Sequence, residues 1–193
     1  SIVMDVTNEN DVKKAVDESV NIFGGIDILV ANAGFASAAP FDKTSSKLWD
    51  KNMAVLSKGC FLISREVYSQ MMRQNMGGSI IFISSKNSLS ASKGASAYSV
   101  AKSSLLHLSR SIALEGAEYK IRSNIINPDA VIQNSRIWSG DWKKQRAAGN
   151  KIPINKVEEF YKNRSLLKVS VLPEDIAEGI YFFASSKSKK STA

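Results

Sequence analysis

The sequence holds one cysteine, Cys60, one histidine, His107, and four prolines in 193 residues. A lone cysteine excludes a disulfide framework within the chain. With one histidine beside it, neither a cysteine cluster nor a multi-histidine metal site can form, so no metal is expected. No run of 18 or more apolar residues occurs, which leaves no candidate for a membrane-spanning helix. No signal-peptide pattern is visible either, and the expectation is a cytoplasmic protein with no membrane partner. Hydrophobic residues make up 44% and charged residues 23%, a balance that excludes disordered and low-complexity classes. The length suits one domain or most of a larger one. Because the chain opens at Ser1 inside what reads as a strand, a fragment is expected.

The net charge is +8. Lys and Arg outnumber Asp and Glu by 15 to 12 over residues 1–140 and by 11 to 6 over residues 141–193. The late excess is spread over Lys143, Lys144, Arg146, Lys151, Lys156, Lys162, Arg164 and Lys168, without a dense stripe or interleaved stacking aromatics. Nucleic acid is therefore not an expected partner. Solvated helix faces are the simpler reading, and attraction of an anionic cofactor or sugar phosphate the sharper one.

Apolar patterning alternates between two periods. Ile2-Val3-Met4, ending at Asp5, reads as a buried strand. Thr7 is the predicted N-cap of a helix carrying Val12, Ala15, Val16, Val20 and Phe23, closed by Gly24-Gly25. A strand over 26–30 follows, then the turn Asn32-Ala33-Gly34. A helix, in one or two pieces, is predicted over 46–76, and strands over 79–83 and 123–126. Between those two strands a helix is predicted over 97–117. Residues 129–173 read as a loop with short helices, and 174–184 as a final helix. Strands alternating with helices predict a parallel sheet covered on both faces. In such sheets ligands bind beyond the carboxyl ends of the strands, which gathers Asp5, Asn32–Gly34, Ser84–Ser88 and the segment after Pro128 on one edge.

Tyr98 and Lys102 are four residues apart on one helix, and so share a face. A phenol with a pKa near 10 is a poor base at neutral pH. An ammonium about 4 Å away, at an effective dielectric of about 20, contributes roughly 4 kcal/mol, enough to move the phenol toward the working range of a general acid/base. Ser85, at the end of the preceding strand, is placed to hold a reacting oxygen. The set suits proton transfer coupled to hydride transfer at a carbinol or carbonyl.

Taken in order, Asp5-Val6, Asn32-Ala33-Gly34, Ile83-Ser84-Ser85, Tyr98 with Lys102, and Asn127-Pro128 resemble the short-chain dehydrogenase/reductase family over nearly the whole chain. The resemblance implies an α/β fold, a Rossmann-like doubly wound parallel sheet. Residues 1–193 would be a partial domain lacking the first two strands and the last. It implies Tyr98 as general acid/base, Lys102 as the residue that lowers its pKa and holds the nicotinamide ribose, and Ser85 as substrate-positioning. NAD or NADP, with NAD favoured, would be held by Asp5, Val6, Asn32, Ala33, Gly34, Tyr98, Lys102, Pro128 and Val131. Family members commonly pair through the Tyr98 helix, so a homo-oligomer is expected.

A narrower likeness joins residues 127–131, 138–142 and 165–175. They look like the dehydrogenase half of the bifunctional rhamnulose-1-phosphate aldolase/lactaldehyde dehydrogenases. It implies a small hydroxyaldehyde such as lactaldehyde as substrate, in rhamnose catabolism, and fusion to an aldolase domain. Another sugar or polyol dehydrogenase, or an inactive domain kept as an interaction module, are the alternatives. Trp138 and Trp142 either line the substrate pocket or anchor the long loop. His107 reads as a packing or interface residue, and Cys60 as buried and inert.

The pattern is broken at three positions. Leu56 stands where the family usually has a relay asparagine, Asp129 where glycine is common, and Gln133 where a threonine often meets the cofactor. The family's glycine-rich turn is not among these residues, and the expectation is weak dinucleotide binding and poor folding of this stretch alone.

Overall fold

The computed structural model describes all residues from Ser1 to Ala193. Three parallel strands, β1 (Ile28–Ala31), β2 (Gly78–Ile83) and β3 (Ile121–Ile126), lie side by side in that order. Ile81 of β2 is opposite Val30 on one side and Asn124 on the other. Each crossover is helical, as parallel neighbours require. Helices α2 (Ser46–Asn52) and α3 (Gly59–Gln74) join β1 to β2, and α4 (Ser96–Gly116) joins β2 to β3. The expectation of a parallel, Rossmann-like sheet holds.

β2 is buried on both faces, so its run of isoleucine and phenylalanine is continuous rather than alternating. Ile80 and Phe82 face α3 and α4, meeting Val67, Met71 and Leu105. Ser79 points the other way, and its hydroxyl donates to the Phe183 carbonyl oxygen of α7 (Pro173–Ala184) at 2.9 Å. Gly77, with φ +79°, makes the turn into β2. A Cβ there would meet the Lys120 carbonyl oxygen at 2.7 Å, which leaves the position to glycine.

Helix α1 (Glu9–Phe23) packs Val12, Ala15 and Val16 inward, toward α3. Its N-cap is Asn8, whose Oδ1 accepts from the Asn10 and Asp11 amides, and not Thr7. Thr7 instead donates through its amide and hydroxyl to Asp5 Oδ1, both at 2.8 Å. The strand expected over Ile2–Met4 is also corrected. These residues form no ladder and Val3 is fully exposed, because no strand lies beside them to supply hydrogen bonds. Two short helices, α5 (Asp141–Gly149) and α6 (Val157–Arg164), occupy the long segment after β3. No helix is long and apolar enough to cross a membrane.

The predicted 46–76 helix is continuous, but one stretch is wound differently. Residues Met53–Lys58, between α2 and α3, form a π-helix around fully buried Leu56. Such bulges re-aim side chains and are frequent at functional sites.

Candidate active site

The carboxyl ends of β1, β2 and β3 open onto one cavity of about 560 Å³. Asn32 and Gly34 line it after β1, Ser84 and Ser85 after β2, and Pro128 and Val131 after β3. Tyr98 and Lys102, both buried, enter from the first turns of α4. The backbone of this edge is tied together: the Ser84 amide donates to Ile126 O and the Lys86 amide to Pro128 O, each at 2.9 Å. Ser88 Oγ donates to Ser85 O at 2.6 Å and Asn127 Oδ1 lies 2.8 Å from it. Ser85 therefore sits on a loop with little freedom.

Burial pushes the Tyr98 phenol above its ordinary range, and the neighbouring Ser85 side chain pulls partly the other way. This corrects the expected drop caused by Lys102. The Lys102 ammonium donates to Ile83 O at 2.7 Å, which uses one of its three N–H groups. Burial holds its own pKa below the usual lysine range. Leu56 closes the same region with methyl groups where an amide was expected.

Trp138 and Trp142 were left open by the sequence as pocket lining or loop anchor. They line the cavity and also anchor the α5–α6 segment over it. The Trp142 ring lies 5.6 Å from that of Tyr98, and the Trp138 ring 5.1 Å from that of Tyr161. The resulting wall is apolar, apart from Arg146 behind Trp142.

Not every expected residue reaches the cavity. Asp5 is exposed and bonded to Thr7, and Val6 packs against Gly59. Ala33 is exposed, outside the lining. Gln133 donates to Glu158 at 2.6 Å, whereas Asp129 does line the cavity and lies 3.5 Å from Arg164. His107 is exposed on α4, so of its two readings, packing or interface, packing within the chain is excluded, and Cys60 is buried with its thiol pKa pushed up by burial. The sequence reading missed Lys86, Arg146 and Tyr161 in the lining. Arg146 in particular, for which a solvated face was the simpler of two readings, is only 5% exposed. Its position one turn after Trp142 was the available signal.

Residues 1–193 match the family model described as enoyl-(acyl carrier protein) reductase. The chain belongs to the short-chain dehydrogenase/reductase family. Within that family it is 52% identical over 192 residues to "Uncharacterized oxidoreductase YuxG" of Bacillus subtilis (strain 168), covering 100% of this chain and 28% of that protein. Sorbitol-6-phosphate 2-dehydrogenase SrlD from Erwinia amylovora superposes with a TM-score of 0.92 at 32% identity, over 98% of this chain and 73% of that one. NAD⁺-bound xylitol dehydrogenase does so with a TM-score of 0.89 at 26% identity, over 98% and 74%. The chain thus spans little more than a quarter of its Bacillus relative and about three quarters of these two short-chain dehydrogenases.

Asn32, Gly34, Ser85, Tyr98 and Lys102 fit such a dinucleotide at its nicotinamide end. They line one open cleft, and a glycine is what its β1 side admits, since a Cβ on Gly34 would meet Leu56 Cδ2 at 3.0 Å.

Proposed function

We propose that the complete protein is an NAD(P)-dependent oxidoreductase of small hydroxylated carbonyl compounds. Lactaldehyde, met in rhamnose catabolism, is the substrate implied by the narrower sequence likeness. The observation that carries the reading is the convergence of Ser85, Tyr98 and Lys102 on one cavity walled by Trp138 and Trp142. The dinucleotide supplies or accepts the hydride when bound. Tyr98 handles the proton: its phenol gives it to the carbonyl oxygen in reduction and takes it from the hydroxyl in oxidation. Ser85 holds that oxygen by a hydrogen bond from its fixed loop. Lys102 binds the ribose hydroxyls, and Trp142 keeps water from the Tyr98 ring. Fusion to an aldolase domain belongs to this reading and is supported by the small share of the Bacillus relative that the match occupies. So does pairing of two copies through α4, where Val100 and Leu114 are exposed.

Sugars or polyols form the second substrate class, favoured by the likeness to sorbitol-6-phosphate 2-dehydrogenase. Steady-state kinetics of the complete protein with L-lactaldehyde against free polyols separates the two, and equal or better turnover of a polyol removes lactaldehyde. Tyr98→Phe is expected to lower kcat at least about a hundredfold while cofactor affinity stays within a few-fold. Surviving turnover would take the acid/base role from Tyr98.

A further inference from the structure

The wall of the cavity away from Lys102 carries two cations, Lys86 and Arg146, that have no ion-pair partner in the protein. Arg146 is 5% exposed and lines the cavity. Its Nε donates to the Tyr161 hydroxyl at 3.1 Å, its Nη1 to Lys93 O at 2.8 Å, and its guanidinium lies 5.3 Å from the Trp142 ring centroid. No carboxylate is within ion-pair distance of it. Lys86 also lines the cavity, and its ammonium donates only to the Ser92 hydroxyl, at 3.1 Å. Ser92 in turn donates to Asn87 Oδ1 at 2.6 Å. Asp129 also lines the cavity and attracts Lys86 from beyond ion-pair distance, but its ion-pair partner is Arg164, at 3.5 Å. Arg136 adds a further cation to the lining.

A buried guanidinium without a counter-ion is costly, because two neutral acceptors return only part of its lost hydration. Such a group facing an open cavity is the usual arrangement for an anionic ligand group. We infer that Lys86 and Arg146 form a subsite for the anionic end, a phosphate ester or a carboxylate, of the substrate whose hydroxyl or carbonyl meets Tyr98. The inference deepens the oxidoreductase reading and rests on it. Lys86 follows Ser85 directly, and Trp142 touches both the Tyr98 ring and Arg146. Ser85, Lys86, Tyr98 and Arg146 all line the one cavity, so a single molecule can meet both places. A neutral three-carbon aldehyde leaves the cations unused.

The test compares the complete protein on paired substrates: sorbitol 6-phosphate with sorbitol, glyceraldehyde 3-phosphate with glyceraldehyde, and a hydroxy acid with its alcohol. The anionic member is expected to have a kcat/KM about tenfold to a hundredfold higher, the range of one or two charge-assisted hydrogen bonds. Preference for the phosphate pairs or the carboxylate pair identifies which anion the subsite takes. Lys86→Met is expected to collapse that preference at least about tenfold. A readout without turnover accompanies it: inorganic phosphate should perturb Trp138 and Trp142 fluorescence saturably, and much less in the variant. Phosphate binding without turnover of any substrate would keep the subsite and remove the oxidoreductase reading. A preference for neutral lactaldehyde, or equal kcat/KM within each pair, overturns the subsite and leaves that reading standing.

Discussion

Leu56 fills the space beside Gly34: its Cδ2 lies 3.0 Å from where a Cβ on Gly34 would be, and Lys102 Nζ lies 3.9 Å from the same point. Three residues from three elements thus share one small volume next to the ammonium. The bulge over Met53–Lys58 holds Leu56 there, fully buried. Leu56→Asn removes buried methyl groups and buries an amide in their place, at a cost of about 2–4 kcal/mol. Urea unfolding with an unchanged midpoint would show that this volume is more tolerant than its packing implies.

Lys102 makes the protein's stability depend on alkaline pH in an unusual direction. Burial depresses its folded pKa below that of the unfolded chain. Between those two values the unfolded state binds the additional proton, so this residue's contribution rises with pH. Below its folded pKa the buried charge is a penalty. Lys102→Met is therefore expected to raise the unfolding free energy at pH 7, with the gain shrinking as the pH climbs toward the normal lysine range. A pH-independent difference between variant and parent would contradict this.

Tyr98 shifts the other way, held protonated by its burial. In the complete protein, oxidation of an alcohol needs the phenolate and should speed up with pH through the alkaline range. Reduction needs the phenol and should slow over the same range. Parallel pH profiles for the two directions would separate the observed ionisation from Tyr98.

Asn52 is fully buried between Ser37 and Leu48. Its Nδ2 donates to Leu48 O at 2.7 Å and to Ser37 Oγ at 2.9 Å, and its Oδ1 accepts from that hydroxyl at 3.1 Å. The bonds fasten the loop after β1 to α2. Asn52→Ala should cost about 1–3 kcal/mol by leaving these groups unpaired, and Ser37→Ala less. Thermal denaturation of both variants ranks them; the reverse order would argue against the assignment.

Trp142 touches Tyr98 and carries Arg146 on its other contact, so truncation acts on fold and site together. Trp142→Ala is expected to destabilise by about 3–5 kcal/mol, and Trp142→Phe by much less. Near-equal unfolding midpoints for the two would mean that α5 is held by other contacts.

Legibility followed the strength of local pattern. The continuous apolar run at β2 was readable because burial on both faces leaves few polar residues to blur it, and α4 because its buried residues recur along one face. Ser85, Tyr98 and Lys102 were readable because their spacing is fixed by one strand end and one helix face. The segment Ile2–Met4 misled for a physical reason: apolar content states what a strand would bury, and only a neighbour can give it a ladder. Arg146 was hidden because α5 is mostly polar, and a cation inside the cavity looks in sequence like one in water. The bond from Lys102 to Ile83 O was equally out of reach, since it joins residues 19 apart on two different elements.

The two margins of the sheet are finished differently. Along β3, the Ala193 amide donates to Ser123 O at 2.7 Å, the Ser123 amide to Thr192 Oγ1 at 3.1 Å, and Asn124 Nδ2 to Ser191 O at 3.0 Å. A returning tail thus sheathes that side. β1 has only β2 as a neighbour, and Ile28 and Val30 are exposed on it. Unsatisfied amides beside apolar side chains form an adhesive seam. Val30→Lys would put a charge into that seam and, because Val30 also lines the cavity, into the wall of the candidate site as well.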